Sequence, residues 1–282
     1  MPDIGQFDLL SSFPADVLFW RPNCEVSVRH RNPLFSAATG ISVSRSTAID
    51  WLHTISLGVF QTYLAFTMQV LFENDAWRTR NDNRDAKIRL SVPQIAAELI
   101  AWQRQQGRLG RSVTEIKHLK PEHFGTWTRP QISLKAAETN WFLEYVVQVV
   151  LPSRGHVIPL AQRGEIFMAG GCLMGLLDLI RKHPIRFPIS DVQAFHEKAK
   201  SYLSAMQDLG VREMPKDHYL VHLADRIRFQ GSPALYGNWL DESLNRLLRD
   251  VAAGAHSAVH DRRVLIEFAK AHNNDIKRRR LA

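Results

Sequence analysis

The chain has 282 residues, enough for one large domain or two modest ones to bury a sizeable core. Its 45% hydrophobic and 23% charged content is ordinary for a soluble globular protein, and it shows neither a repeat period nor a low-complexity tract. The charge balance is less ordinary: 36 Lys+Arg face 28 Asp+Glu, giving +8 and a pI of about 9.7. That excess suits a polyanionic partner, because neutralised phosphates release counterions.

Cys24 and Cys172 lie far apart and form no metal-ligand or redox spacing, which points to a reduced, intracellular compartment. The N-terminus has early acids and no basic region followed by an apolar core, so it does not read as a secretory signal. The longest apolar stretch, from Ile166 to Ile180, is too short to span a bilayer and contains Asp178. It reads as a buried helix, and no membrane partner is expected.

Residues 1–43 read as an irregular segment with Pro2, Pro14, Pro22 and Pro33, leaning on something else or left over from a longer chain. Residues 44–274 read as a helical domain. Its first part, 44–75, carries Ser and Thr caps and then apolar residues at helical spacing. A helical insertion spans 86–210, opening with a helix capped by Ser91, with Pro93 in its first turn and Gly107 just past its end. Residues 108–133, with Pro121, Gly125 and Pro130, are the least helical. Further helices with Pro or Gly between them follow, into a closing segment over 214–274 and a basic tail over 275–282. Strand signals are few and short. The expected fold is mainly α, a multi-helix domain.

Several constellations carry chemistry. Asp50 and His53, at i and i+3, meet on one helix face, where a carboxylate can fix the imidazole tautomer and leave the other ring nitrogen for a phosphate or metal. The structural alternative is a helix cap beside a satisfied core histidine. His218 and His222, at i and i+4, have the spacing of two imidazoles sharing one zinc, although no Glu follows His218 as in metalloproteases. Alternatively, Lys216, Arg226 and Arg228 line a phosphate-facing surface with the histidines packed beneath it. His256 and His260 repeat the i, i+4 spacing in a basic context that reads as surface. Asp241 and Glu242 open a helix, where carboxylates complement the dipole; turned inward, Glu242 would hold a divalent metal with Asn238, Asn245 and Arg246 around it. Glu115 and His118 form another acid-x-x-His, which together with Asp50 and His53 would suggest a dimetal bundle, but the stretch runs into Pro121. Lys277, Arg278, Arg279 and Arg280 form a basic run suited to phosphate or to a nuclear address.

Three stretches, "AIDWLHTISLGVF", "KAAETNWFLEYVVQVVL" and "PKDHYLVHLADRIRFQGSPALYGNWLDESLNRLLRDVA", together resemble the later part of DDE transposases with an RNase H-like fold. The group includes CACTA-like, Plavaka-like and hAT elements and transposase-like proteins of protists. The resemblance covers roughly residues 45–265 in scattered motifs. It implies two-metal phosphoryl transfer with Mg²⁺ or Mn²⁺ on DNA, with Glu242 as the last catalytic acid and metal ligand. Asp50 and His53 would be the signature pair beside the scissile phosphate, with Asp50 a further metal ligand. Lys216, Arg226, Arg228, Arg246 and the residues Lys277 to Arg280 would grip nucleic acid. The family's first two aspartates belong on strands upstream of the signature, where Asp8 and Asp16 are the only candidates and only Asp16 adjoins a strand-like run. The resemblance therefore implies the helical insertion and closing part of an incomplete RNase H-like α/β fold: a transposase-derived, nucleic-acid-binding protein that is catalytically incomplete as this chain alone. A non-enzymatic helical interaction module is the alternative.

Overall fold

The computed structural model describes residues 49–237, and these are mainly helical. A π-helical segment, Leu52–Val59, runs directly into α1, Phe60–Glu73. Next come α2 (Arg84–Arg108), a 3₁₀ turn (Pro121–Phe124), and a minimal hairpin of β1 (Gly125–Thr126) and β2 (Arg129–Pro130). Then α3 (Ala136–Tyr145) passes through a second π segment, Val146–Val150, into α4 (Leu151–Arg154). Helices α5 (Leu160–Lys182), α6 (Ile189–Asp208) and α7 (Pro215–Gln230) follow. The two-stranded antiparallel pair, with Gly125 opposite Pro130 and Thr126 opposite Arg129, is the one sheet among the described residues.

The helix Leu52–Glu73 is the axis of the core. An 18-residue stretch of this 22-residue helix has a mean hydropathy of 1.4, that of a possible membrane span, yet most of the stretch is buried inside the protein. The π segment packs against α3 and α7, while α1 packs against α2, α3 and α5. Ile55, Val59, Phe60, Tyr63, Leu64 and Leu71 are fully enclosed. Burying such side chains contributes roughly 1.5–3 kcal/mol each. Tyr63 reaches across to α5, where its hydroxyl donates to the Ile166 carbonyl at 3.0 Å. Gly170 makes this possible: a Cβ there would sit 2.3 Å from the Tyr63 hydroxyl.

Helix α2 starts earlier and ends later than the sequence suggests. Asn83 is the cap, its side-chain oxygen accepting from the Ala86 amide at 3.0 Å, and Asp85 sits in the first turn. The buried stripe Ile88, Val92, Ile95, Leu99 and Trp102 begins before Ser91, so packing carries the helix through Pro93 and past Gly107. Ser91 is a buried interior residue and not the cap. The irregular residues that follow are tied down through Gln103, which donates to the Thr114 carbonyl and accepts from the Ile116 amide. Glu115 and His118 lie on this extended stretch, both exposed and on no helix, which removes the dimetal-bundle geometry.

A file of aromatic rings joins α1, α2 and α3: Phe72, Phe124, Phe142, Tyr145, Trp102 and Trp141 follow one another at centroid spacings of 5.4 to 6.1 Å. One end is closed by a buried charge cluster. Glu144, 1% exposed, receives Arg111 on Oε2 at 2.7 Å and Arg181 on Oε1 at 2.5 Å. The Arg111 guanidinium also lies over the Trp141 ring, 4.6 Å from its centroid, and donates to Gln106 Oε1. This cluster clasps α2, α3 and α5 together.

Candidate functional site

The Asp50–His53 pair sits where the chain enters the π segment. The Asp50 carboxylate accepts from the Leu52 amide at 3.0 Å and the His53 amide at 3.3 Å, and it also engages the His53 Nδ1. Asp50 therefore caps the helix start and orients the imidazole at once; the two readings of the sequence describe one arrangement. The His53 side chain is 46% exposed, so its ring stands at the surface.

Helix α7 lies beside this segment. The Lys216 ammonium donates to the Leu57 carbonyl at 2.7 Å, and its stem crosses Gly58, where a Cβ would lie 2.4 Å from Lys216 Cδ. The first turn of α7 thus meets the far end of the π segment, and α7 packs along that segment.

On α7, His218 and His222 meet through their Nε2 atoms at 2.7 Å, with ring planes 76° apart. This is a hydrogen-bond separation, shorter than the roughly 3.3 Å expected when two imidazoles share a tetrahedral zinc. One ring donates and the other accepts. Burial, then the neighbouring His218 and Arg226, pushes the His222 imidazolium down to about 4, so His222 is neutral at pH 7. Among the described residues no group of three or more His, Cys, Asp or Glu side chains converges on a metal position.

The basic residues of α7 divide. Arg228 is exposed. Lys216 is exposed along its length but engages the Leu57 carbonyl. Arg226 is only 6% exposed, which corrects its expected place on an open phosphate-facing surface. It adjoins the packed stripe Leu223, Ala224 and Ile227, and the packing of α7 encloses it. Glu242, Asp16, Arg246, His256, His260, Asn238, Asn245 and the run Lys277, Arg278, Arg279 and Arg280 lie outside the described residues.

Sequence reasoning passed over Asp217. Its Oδ2 accepts from the Met214 amide at 2.8 Å and starts α7, which a residue three places after Met214 could have suggested. Its 5% exposure could not be read locally, because the neighbours that enclose it come from α1 and α6. No family model, curated protein or solved structure matches the chain.

Proposed function

We propose that the protein is a nucleic-acid-binding protein of transposase descent with DNA as its partner, and that this chain alone is a catalytically incomplete form of a divalent-metal-dependent strand-transfer centre of RNase H-like type. One observation carries the reading. The Asp50–His53 segment and the helix with Lys216 and Arg226, which belong to two of the three stretches that carry the resemblance, pack side by side although Leu57 and Lys216 are 159 positions apart. Such a long-range seam, with an oriented surface imidazole on one of its elements, supports a reading in which both stretches serve one site. The net charge of +8 supports a polyanion as partner, and a nuclear location goes with it.

The test is fluorescence anisotropy with a labelled DNA duplex across a salt series, followed by a nicking assay with Mn²⁺. The expected result is binding whose logarithm falls linearly with log salt. Neutralising Lys277, Arg278, Arg279 and Arg280 should reduce the slope by about 3–4. Binding that is absent at low salt, or indifferent to salt, would refute the reading. A second reading, a non-enzymatic helical interaction module, draws on Lys216 and the His218–His222 pair being engaged within the protein. It predicts no salt-dependent DNA binding, with His53→Ala altering stability alone.

A further inference from the structure

The positive excess of the chain is concentrated in one part of it. From the first residue of α2 to the residue before α3, positions 84–135, 10 Lys+Arg face 4 Asp+Glu, whereas the rest of the chain holds 26 against 24. Helix α7 contributes little: Lys216, Arg226 and Arg228 are offset by Asp217 and Asp225, and Arg226 is buried.

On α2 the cations that remain exposed share one side. Away from the buried stripe, Arg89, Pro93, Ala97, Ala101, Arg104 and Arg108 follow at steps of three or four residues, and all six are exposed. That face carries no acid. The two acids of α2 are engaged elsewhere: Asp85 accepts from the Trp127 amide at 3.0 Å, and Glu98 accepts from Arg154 at 2.6 Å and from the Tyr145 hydroxyl at 3.1 Å. Its other two cations are occupied as well, Arg84 over the Trp127 ring at 4.5 Å and Lys87 on the Glu73 carbonyl. The chain beyond α2 returns beside it, tied to Gln103 at Thr114 and Ile116 and to Asp85 at Trp127. Between those ties Lys117 and Lys120 are exposed, with Glu115 at 3.6 Å from Lys117 and Glu122 as the acids of this flank.

We propose that the outward face of α2, flanked by Lys117 and Lys120, is the surface on which the phosphates of duplex DNA lie. The inference rests on the DNA reading and adds the place of contact, on a helix to which that reading assigns no role. Along the axis Arg89 and Arg108 are about 29 Å apart, from the rise per residue of an α-helix. Cations spread over that length do not converge on one small anion, whereas a repeating polyanion meets them all. Arginine at all three positions suits phosphate oxygens, which the guanidinium fork engages in pairs. An anionic membrane is disfavoured, because an interfacial helix needs its apolar stripe free for the bilayer and that of α2 is used in the core.

The experiment is fluorescence anisotropy of the full chain with a labelled DNA duplex across a salt series, comparing two triple variants. One carries Arg89→Gln, Arg104→Gln and Arg108→Gln. The other carries Arg186→Gln, Lys200→Gln and Arg212→Gln, three exposed cations outside α2, with the same change of net charge. The α2 variant should weaken binding at least about tenfold and lower the slope of log affinity against log salt by about 2–3, and the control should weaken it less than about threefold. Circular dichroism checks folding, and Arg104→Gln alone, lowering the slope by about 1, keeps the test in force should the triple variant not fold. Equal effects of the two triple variants would overturn the proposal and leave the DNA reading standing, since total charge and not this face would then set the affinity. Absent or salt-indifferent binding by the wild type would remove both. Phosphatidylserine vesicles form the last arm: vesicle binding lost in the α2 variant, with DNA binding unchanged, would assign the face to a membrane and overturn the proposal.

Discussion

Two polar places in this fold are built in opposite ways. Around Glu144, one carboxylate meets two guanidinium groups, both oxygens are occupied, and an aromatic face backs the cations. Along α7, the Asp217 carboxyl accepts from the Met214 amide and the two imidazoles of His218 and His222 abut, so these groups meet uncharged partners. Complementary charge that is fully paired holds elements together and has little reason to bind anything else. Burial without a close opposite charge instead disfavours the charged form, raising the Asp217 carboxyl and lowering the His222 imidazolium, and makes this side the one that titrates.

This contrast can be broken most severely at the clasp. Glu144→Ala takes the buried carboxylate from Arg111 and Arg181, which stay partly hydrated, and should destabilise the fold by about 1.5–3 kcal/mol, seen as a lower urea midpoint; Glu144→Gln, which keeps the shape, should lose less. Gly170→Ala comes next. The added methyl meets the fully buried Tyr63, whose hydroxyl is held at the Ile166 carbonyl, and the half-buried Val147, so overpacking of about 1–3 kcal/mol is expected. Equal stability of the wild type and this variant would mean that Tyr63 is not fixed against α5.

The α7 side responds to pH. His222 has a folded value near 4 and an unfolded value near 6.5, so its contribution is complete above pH 6.5 and is lost as pH falls toward 4. After allowance for solvent screening the loss should reach about 2 kcal/mol. Chemical denaturation at stepwise pH should show a shallower slope between those limits in His222→Gln than in the wild type, and parallel curves would count against a buried neutral imidazole. The smallest effect is expected at Lys216. Lys216→Met keeps the stem over Gly58 and removes the bond to the Leu57 carbonyl, a loss of about 1 kcal/mol. Hydrogen exchange at the π segment should report it.

Much of the helical layout could be read from the sequence because the punctuation is local. Pro159, Pro188 and Pro215 stand at or just before the starts of α5, α6 and α7, and Gly231 follows α7 with φ of 82°, which suits glycine. The start of α2 was misread because Ser91 and Pro93 give a strong local signal. The Asn83 cap acquires its meaning only from the buried stripe beginning at Ile88. The Asp50–His53 contact was legible from spacing alone. The burial of Arg226 and Asp217 was not, since each depends on elements far away in sequence. The polar residues of α7 look like a solvated face until their neighbours are known.

Neither π segment could be read from residue spacing, and each carries a historical implication. A π turn behaves as a single residue inserted into an α-helix, and one residue advances the helix by about 100°. Removing one position between Leu52 and Val59 would restore plain α geometry and rotate the Asp50–His53 end by that angle relative to the core-facing side of α1. The aim of the imidazole is thus recorded as a length and not as a residue type. A one-residue deletion there should turn the pair away from its present direction while every named side chain remains.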